Sequence, residues 1–212
     1  MNHTLPTEAV AAVHVVDDEA PVRDALAFLF RSHGLQAIAY TGGPELLAAL
    51  DAASLRGCLL LDVRMEPMSG LQLHDALIAR HVDLPVIFLT GHGDIPMAVH
   101  ALHKGAFDFV EKPFSDAALV DRLRKALAVE AARRTADAAS AERLARLGSL
   151  TEREHAVMLR VVAGKLNKVI ADELCIAVRT VEVHRARVFA KLGVRSAAEA
   201  ATVLAQSRAP GA

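Results

Sequence analysis

The sequence predicts a parallel α/β sheet followed by a small all-helical domain. In the first part of the chain, short apolar runs alternate with segments of helical periodicity, which is the pattern of βαβ units. The clearest run covers residues 58–61, Cys-Leu-Leu-Leu, and leads directly into Asp62. A continuous apolar run is typical of a strand buried on both faces of a parallel sheet. Asp62 then stands at the carboxyl end of that strand, where open α/β sheets bind their ligands.

Apolar runs predict the strands of this sheet at residues 13–16, 35–40, 59–61, 85–90 and 106–110. Helices are predicted to follow them, starting near Pro21, Pro44, Ser69, Asp94 and Ser115. Proline is favoured in the first turn of a helix and aspartate is a good N-cap. Because right-handed crossovers place helices on both faces of the sheet, we expect the flavodoxin-like strand order 2-1-3-4-5.

The second part of the chain reads as helical throughout. Residues 127–146 contain neither Gly nor Pro and predict a continued helix or a helical linker. Thr151 and Glu154 match a capping box that starts the next helix. Asn167 is predicted to cap a short helix, and residues 175–179 to form a tight turn. Two further helices are predicted over 180–192 and 196–206.

Composition bounds the class of protein. Hydrophobic residues make up 53% of the chain, and 4% aromatic residues with no Trp predict an aliphatic core. From residue 148 onward there are 10 Lys and Arg against 6 Asp and Glu, which leaves 14 against 19 before it. This asymmetry indicates two domains with different partners, the basic one suited to an anion.

The cysteines and the apolar segments indicate a compartment. Cys58 and Cys175 lie in apolar runs of different predicted domains, so we expect two buried thiols, typical of a reducing cytoplasm. No apolar run approaches the length of a membrane span, and the first residues lack the basic start of a signal peptide. The expectation is a cytoplasmic protein without a membrane partner.

Polar side chains end four of the predicted strands. They are Asp17 and Asp18, then Asp62, Thr90 and Lys112. The predicted strand order brings these ends to one crevice, where crowded carboxylates need a cation, and oxygen ligands select Mg²⁺. A lysine can hold a phosphoryl oxygen, so the chemistry that suits the site is phosphoryl transfer onto the third carboxylate. The alternative is that these are separate strand-end residues with no joint role.

Several motifs resemble a known family. They are Val-Val-Asp-Asp-Glu at 15–19, Asp62 followed by Met-Ser-Gly at 68–70, Thr-Gly-His-Gly-Asp at 90–94 and Lys-Pro-Phe at 112–114. Residues 11–127 thereby resemble a response-regulator receiver domain. The resemblance implies that a sensor histidine kinase phosphorylates Asp62. It also implies that Asp18 and Asp62 ligate Mg²⁺ directly, Asp17 largely through water, and Arg64 through its backbone carbonyl. Thr90 and Phe109 match the pair that reorients on phosphorylation.

The loop after Asp62 departs from the family pattern. Receivers usually have Arg-Met-Pro-x-Met-Ser-Gly there, whereas this chain has Arg-Met-Glu-Pro-Met-Ser-Gly at 64–70. Proline restricts the residue before it, and Glu66 adds a negative charge near the site. We expect a change in phosphorylation rate or phosphate lifetime, with the function retained.

The segment from Thr180 predicts a helix that presents Glu182, Arg185 and Ala186 on one side, and Val181 with Val188 toward a core. Cations and slim side chains at a tight turn suit a reader of the DNA major groove, although a solvated amphipathic helix fits the same pattern. The stretches 150–154, 167–171, 180–184 and 191–193 resemble the LuxR-type (NarL/FixJ) helix-turn-helix domain. The DNA-binding residues that this resemblance implies are Lys168, Arg179, Thr180, Glu182, Val183, His184, Arg185, Arg187 and Lys191. Leu166 and Ala177 replace the usual serines, which puts sequence preference in doubt.

Together these features resemble a FixJ-type two-component regulator. The expected parts are a flexible leader (1–10), a receiver (11–127), a helical linker (128–147), a DNA-binding domain (148–206) and a tail (207–212). Phosphorylation of Asp62 is expected to promote homodimerisation, promoter binding and recruitment of RNA polymerase, so that the protein acts as a transcriptional activator. Its catalysis is expected to be limited to its own phosphotransfer and dephosphorylation. The alternatives are a constitutive DNA binder whose receiver only docks a partner, and an aspartyl-phosphate phosphatase.

Overall fold

The computed structural model describes residues 10–91 and 95–208, and for 95–98 the helical backbone alone. The chain splits into two compact units, residues 1–133 and 134–212. Nearly all of the predicted leader, the 209–212 part of the tail and the predicted Asp94 cap lie outside the described residues. The expected domain boundaries at 127 and 148 stay predictions.

The first unit is built on a parallel sheet. Among the described residues it has five strands: β1 Ala12–Val16, β2 Ala37–Tyr40, β3 Gly57–Asp62, β4 Val86–Thr90 and β5 Asp108–Glu111. Their order is β2-β1-β3-β4-β5, which confirms the predicted topology. In the register, Val16 lies opposite Leu61. The residues that follow these two, Asp17 and Asp62, therefore leave the sheet side by side.

Helices cover both faces of the sheet: α1 Ala20–Ser32, α2 Gly43–Ala52, α3 Gly70–Ala79, α4 Ile95–His103 and α5 Asp116–Gly148. Because side chains alternate along a strand, β3 divides its apolar residues between two cores. Leu59 and Leu61 join one buried cluster with Phe88. Leu60 joins another with Ile87 and the α5 side chains. The run that looked continuous in the sequence thus supplies both layers. The segment 128–147 is helical as part of α5.

The second unit contains α6 Glu152–Val162, α7 Asn167–Leu174, α8 Val178–Leu192 and α9 Ala197–Arg208. The predicted capping box is confirmed. The Glu154 backbone N–H donates to Thr151 Oγ1 at 3.3 Å, and the Thr151 N–H donates to Glu154 Oε2 at 2.9 Å. Val181 and Val188 of α8 are buried, as their spacing predicted. Among the described residues, no helix is both long and apolar enough to cross a membrane.

Three predictions about α7 and the turn that follows it are wrong. The N-cap of α7 is Leu166, not Asn167, whose side chain instead accepts a hydrogen bond from Arg185. Cys175 is exposed rather than buried. It adopts a left-handed conformation with φ 52° as α7 ends, and this turn directs its side chain away from the core. α8 consequently begins at Val178, two residues earlier than predicted.

Candidate functional site

Asp62 ends β3 with both carboxylate oxygens engaged. Oδ1 accepts a hydrogen bond from Lys112 Nζ at 2.6 Å. Oδ2 accepts one from the Arg64 backbone N–H at 2.8 Å, which fixes the carboxylate against the loop that follows. The Asp62 side chain is 13% exposed, so it is held in place and remains reachable from solvent.

Asp17 and Asp18 follow β1 and differ in environment. Asp17 is buried, and its Oδ1 accepts a hydrogen bond from the Glu19 backbone N–H at 2.8 Å. Its Oδ2 lies 3.7 Å from Lys112 Nζ, too far for a hydrogen bond, and has no partner among the described residues. Asp18 is exposed, and its Oδ2 accepts from the Glu66 backbone N–H at 3.3 Å. The loop that carries the shifted proline, residues 64–70, therefore contacts Asp18 directly.

Lys112 lies between the carboxylates of Asp17 and Asp62, and the pKa directions follow from this packing. Burial raises the pKa of Asp17, with the nearby Asp62 charge acting in the same direction. Burial by itself lowers the pKa of Lys112, but its hydrogen bond to Asp62 and the surrounding negative charges outweigh that effect and raise it. The ammonium thus stays charged and offsets part of the repulsion between the carboxylates.

The other predicted residues of this site lie near the same strand ends without touching the carboxylates. Thr90 is fully buried at the end of β4, and its hydroxyl donates to the Gly91 carbonyl at 3.1 Å. Phe109 in β5 is half-buried and packs against the apolar cluster that contains Phe88. The Lys112 backbone N–H donates to the Thr90 carbonyl at 2.7 Å, so β4 and β5 fix the position of the lysine.

Sequence reasoning missed the role of Gly70, the first residue of α3. A Cβ built there would lie 2.1 Å from the Asp62 carbonyl oxygen, so only glycine fits against this backbone. The preceding Ser69 caps α3, and its hydroxyl accepts from the Gln72 N–H at 3.3 Å. The Gln72 side chain in turn accepts from the Ser69 N–H at 3.0 Å. The Ser-x-x-Gln spacing was the readable signal for this helix start.

In the second unit, α8 exposes most of the predicted DNA-contact residues. Val183 is 43% exposed. The Arg179 side chain is 91% exposed, and its guanidinium lies 4.0 Å from the Glu182 carboxylate. The remaining exposed members of the predicted set are Lys168, Thr180, Arg187 and Lys191. These side chains form a mixed surface of cations, a hydroxyl and a small apolar group.

Two predicted DNA-contact residues, Arg185 and Lys191, are held by contacts within the protein, and a third, His184, is half-buried. Arg185 is half-buried, not exposed as predicted, because it donates to Asn167 Oδ1 at 3.3 Å and lies over the Phe189 ring. His184 is also half-buried, and its buried Nδ1 has no partner among the described residues. Lys191 Nζ donates to Glu154 Oε2 at 2.6 Å and to the Ser149 carbonyl at 2.8 Å. This ammonium ties α8 to the start of α6.

The Lys191 contact perturbs its partner strongly. The hydrogen bond from Lys191, followed by the one from the Thr151 backbone, lowers the pKa of Glu154 to about 2. Glu154 is thus ionised at any ordinary pH and serves both the capping box and the lysine. The arrangement indicates that Lys191 positions α8 against α6.

Comparison with known proteins assigns the chain to a protein family. The family model for the response regulator receiver domain matches residues 13–124, more than half of the chain. The chain belongs to the response regulators. A second model, for bacterial regulatory proteins of the luxR family, matches residues 148–204. The predicted family and both parts of its architecture are confirmed.

Named relatives resemble this response regulator along most of its length. The C4-dicarboxylate transport transcriptional regulatory protein DctR of Rhodobacter capsulatus is 52% identical over 191 residues, 89% of this chain and 96% of that protein. The transcriptional regulatory protein FixJ of Rhizobium meliloti is 45% identical over 185 residues, 87% of this chain and 90% of that protein. The solved structure of the response regulator StyR has a TM-score of 0.86 at 39% identity, and the match covers 93% of this chain and 100% of that one.

Membership in the response-regulator family establishes the general function of the protein. This response regulator is a phosphorylatable two-component protein with a LuxR-type DNA-binding domain, and it acts in transcriptional regulation. A kinase and DNA are the partners that such a pair of domains implies. The roles of the individual residues remain predictions.

Receiver domains in general bind Mg²⁺, and the donor set here fits that ion. Among the described residues, no three His, Cys, Asp or Glu side chains already converge as a metal cluster. Lys112 instead bridges Asp17 and Asp62. The buried Asp17 Oδ2, however, has no hydrogen-bond partner within the described part of the chain, and a buried carboxylate oxygen without one is suited to a hard cation.

Proposed function

We propose that Asp62 is the phosphoacceptor of this regulator. The contact of Lys112 Nζ with Asp62 Oδ1 at 2.6 Å, with Asp17 Oδ2 at 3.7 Å, carries this proposal. It sets a cation beside a partly accessible carboxylate at the carboxyl end of a central strand, where a phosphoryl group meets a counter-charge.

The reaction is a transfer between two nucleophiles. An Asp62 carboxylate oxygen attacks the phosphorus of a phosphohistidine on the sensor kinase. The P–N bond breaks, its electron pair stays with the histidine nitrogen, and an acyl phosphate forms on Asp62. Lys112 binds a phosphoryl oxygen as a point charge, and the Arg64 backbone N–H holds the attacking carboxylate in position. Catalysis by the chain is limited to this phosphotransfer and to loss of the phosphate.

Asp17, Asp18, Asp62 and the backbone carbonyl of Arg64 are the residues proposed to hold Mg²⁺. When bound, the ion supplies positive charge that neutralises the carboxylates and the incoming phosphoryl oxygens. The role of Asp17 is supported by its buried Oδ2, which has no hydrogen bond among the described residues. The role of Asp18 is supported by its exposure beside the Glu66 loop. Glu66 places its backbone N–H, rather than an acidic group, on Asp18 in the described contact.

The switch is proposed to run through Thr90 and Phe109. Thr90 has a buried hydroxyl whose present acceptor is a backbone carbonyl, so a phosphoryl oxygen on Asp62 offers a competing acceptor. Phe109 is only half-buried, which leaves its ring room to change position as the threonine moves. Phosphorylation then shifts the receiver between two states, and the face formed by α4, β5 and α5 pairs with a second copy.

DNA recognition is proposed to use the exposed residues of α7 and α8. Lys168, Arg179 and Arg187 supply cations for phosphates or guanine edges, and Thr180 and Val183 contact base edges or thymine methyl groups. Glu182 reads a cytosine amino group or orients Arg179. His184 and Arg185 reach DNA only if their half-buried side chains turn, and Lys191 acts from within the fold. Paired domains bind a two-fold site and recruit RNA polymerase in the cytoplasm, as a transcriptional activator.

The test is the oligomeric state of the full chain with Mg²⁺ and acetyl phosphate. The wild-type protein is expected to gain one acyl phosphate by mass spectrometry and to shift toward dimer in light scattering. Asp62→Ala is expected to do neither. Asp51→Ala, which removes an exposed carboxylate of α2, is the matched control and is expected to behave as wild type. An Asp62→Ala protein that still dimerises with the donor would refute the proposal.

A further inference from the structure

A cavity of about 460 Å³ opens at the edge of the receiver sheet opposite the phosphoacceptor. It lies at the amino-terminal end of β4, whereas Asp62 lies at the carboxyl end of β3. Its walls come from the end of α3, the segment 81–86, the residues just before β5, and the α5 positions Val129 and Arg133. All of these residues belong to the first unit, and phosphotransfer makes no use of them.

His74 lines this cavity and is buried, with 4% of its surface exposed. Its ring meets Phe88 edge-on at 5.5 Å, and it has no hydrogen bond with any described residue. The other buried histidine of the receiver, His14, differs in this respect. Its Nδ1 and Nε2 pair with the Tyr40 hydroxyl and the Arg56 carbonyl, both at 3.0 Å. The His74 ring lines the cavity and is therefore available to a ligand there.

Two cations, each paired with a carboxylate, belong to the remaining polar lining. Lys104 donates to Asp75 at 2.7 Å, and Arg133 uses one nitrogen, Nη1, for both Asp83 Oδ1 at 2.6 Å and the Asp83 carbonyl at 2.9 Å. An ammonium carries three donors and a guanidinium five, so both side chains keep donors beyond these contacts. Among the described lining residues, the charged members are Lys104, Arg133 and Asp83.

Apolar side chains complete the walls, among them Leu77, Val86 and Phe107. The volume falls within the range of small-molecule sites, which combine apolar walls with a few polar groups. Burial lowers the pKa of His74, so the imidazole is neutral near pH 7 and presents one N–H donor. Donors therefore outnumber acceptors in an otherwise apolar space.

We propose that this cavity binds a small organic carboxylate with an apolar body, held by His74, Lys104 and Arg133. The apolar body packs on the aliphatic and aromatic walls. The carboxylate accepts hydrogen bonds from the imidazole N–H and from the spare donors of the two cations. A neutral molecule of the same shape leaves those donors without an acceptor and binds more weakly. Binding here does not require phosphorylation of Asp62.

The test uses 2-naphthoate as the probe and the full-length protein. The chain has no Trp and one Tyr, so naphthoate fluorescence is read against little protein emission. We expect saturable binding of 2-naphthoate with a stoichiometry of one per chain. The neutral analogue 2-naphthylmethanol is expected to bind about tenfold more weakly, the size of one or two net hydrogen bonds. Equal binding of the two compounds, or no binding of naphthoate, would overturn the proposal.

Paired variants locate the site. Lys104→Gln is expected to weaken naphthoate binding by about three- to tenfold, the range for one partly exposed charged donor. Lys125→Gln removes the same charge from another ion-paired surface lysine outside the cavity, and is expected to leave binding unchanged. His74→Phe keeps a ring against Phe88 and is expected to reduce the preference for the carboxylate over the alcohol. Equal effects of the two lysine variants would place binding elsewhere and contradict the assignment.

Discussion

Replacing Gly70 by alanine tests how the phosphoacceptor is positioned. Gly70 starts α3 and packs against the end of β3, where its missing side chain leaves room for the Asp62 carbonyl. A Cβ at this position would lie 2.1 Å from that oxygen and 3.1 Å from the Asp62 carbonyl carbon. Real Cβ contacts essentially never fall below 3.0 Å. The α3 helix and the Asp62 backbone must therefore separate by about 0.9 Å to bring the 2.1 Å contact to that limit.

The expected cost divides between stability and chemistry. Overpacking of this kind costs about 1–3 kcal/mol, and here the obstacle is backbone that cannot change rotamer. Strain that is relieved by moving Asp62 appears instead as slower phosphorylation, because a displacement near 1 Å can lower a rate about 100-fold. We therefore expect Gly70→Ala to destabilise the receiver, to slow its phosphorylation by acetyl phosphate, or to do both in proportion.

Denaturant unfolding and the initial rate of acyl-phosphate formation measure the two parts. Gly148→Ala is the control, since a Cβ at Gly148 meets no atom within 4 Å. That variant should match the wild-type chain in both assays or be slightly more stable, because alanine favours the helix. If Gly70→Ala has wild-type stability and a wild-type rate, α3 does not constrain Asp62 and the reasoning is refuted.

Three further changes probe the charges and the helix starts. In magnesium-free buffer Asp17→Asn should stabilise the receiver by on the order of 1 kcal/mol, since it removes a buried charge, and thermal unfolding should show less stabilisation by Mg²⁺ than in wild type. Lys191→Gln should destabilise the second unit at neutral pH. That difference should disappear as the pH falls from 4.5 to about 2. The pKa of Glu154 is lower in the folded protein than in the unfolded chain, so ionised Glu154 stabilises the fold above pH 4.5, and this stabilisation is lost as Glu154 is protonated. Leu166→Ser and Ala177→Ser should each stabilise this unit by about 1 kcal/mol in denaturant titrations, because neither N-cap now makes a side-chain hydrogen bond in the described structure.

The sequence was sufficient for the sheet because each strand carries its own apolar run. The strand limits were less predictable, since hydrogen bonding rather than hydrophobicity decides them. Leu35 was predicted in β2, but its N–H donates to the Phe30 carbonyl at 2.9 Å and closes the end of α1. Ala106 and Phe107 were predicted in β5, but this strand starts at Asp108. The Phe107 N–H, just before the strand, donates to the Val86 carbonyl at 2.8 Å.

Side-chain direction in the second unit was harder to predict. Cys175 stands between Leu174 and Ile176, and this apolar run suggested burial. Cysteine rarely adopts a left-handed backbone conformation, so the residue type did not predict the turn. Lys191 lies on α8 with other cations, yet packing of α8 against α6 turns it to Glu154. A one-dimensional pattern cannot separate a cation that faces DNA from one that holds two helices together.

The central claim is that phosphorylation of Asp62 controls DNA binding. The most direct measurement is sequencing of genomic fragments captured by the purified full-length protein with Mg²⁺, in the presence and absence of acetyl phosphate, with Asp62→Asn as the control. We predict that fragments sharing a two-fold site are captured mainly after phosphorylation, and that the control captures few of them in either condition. Equal capture by the wild-type protein with and without the donor would contradict the claim and leave a constitutive DNA binder.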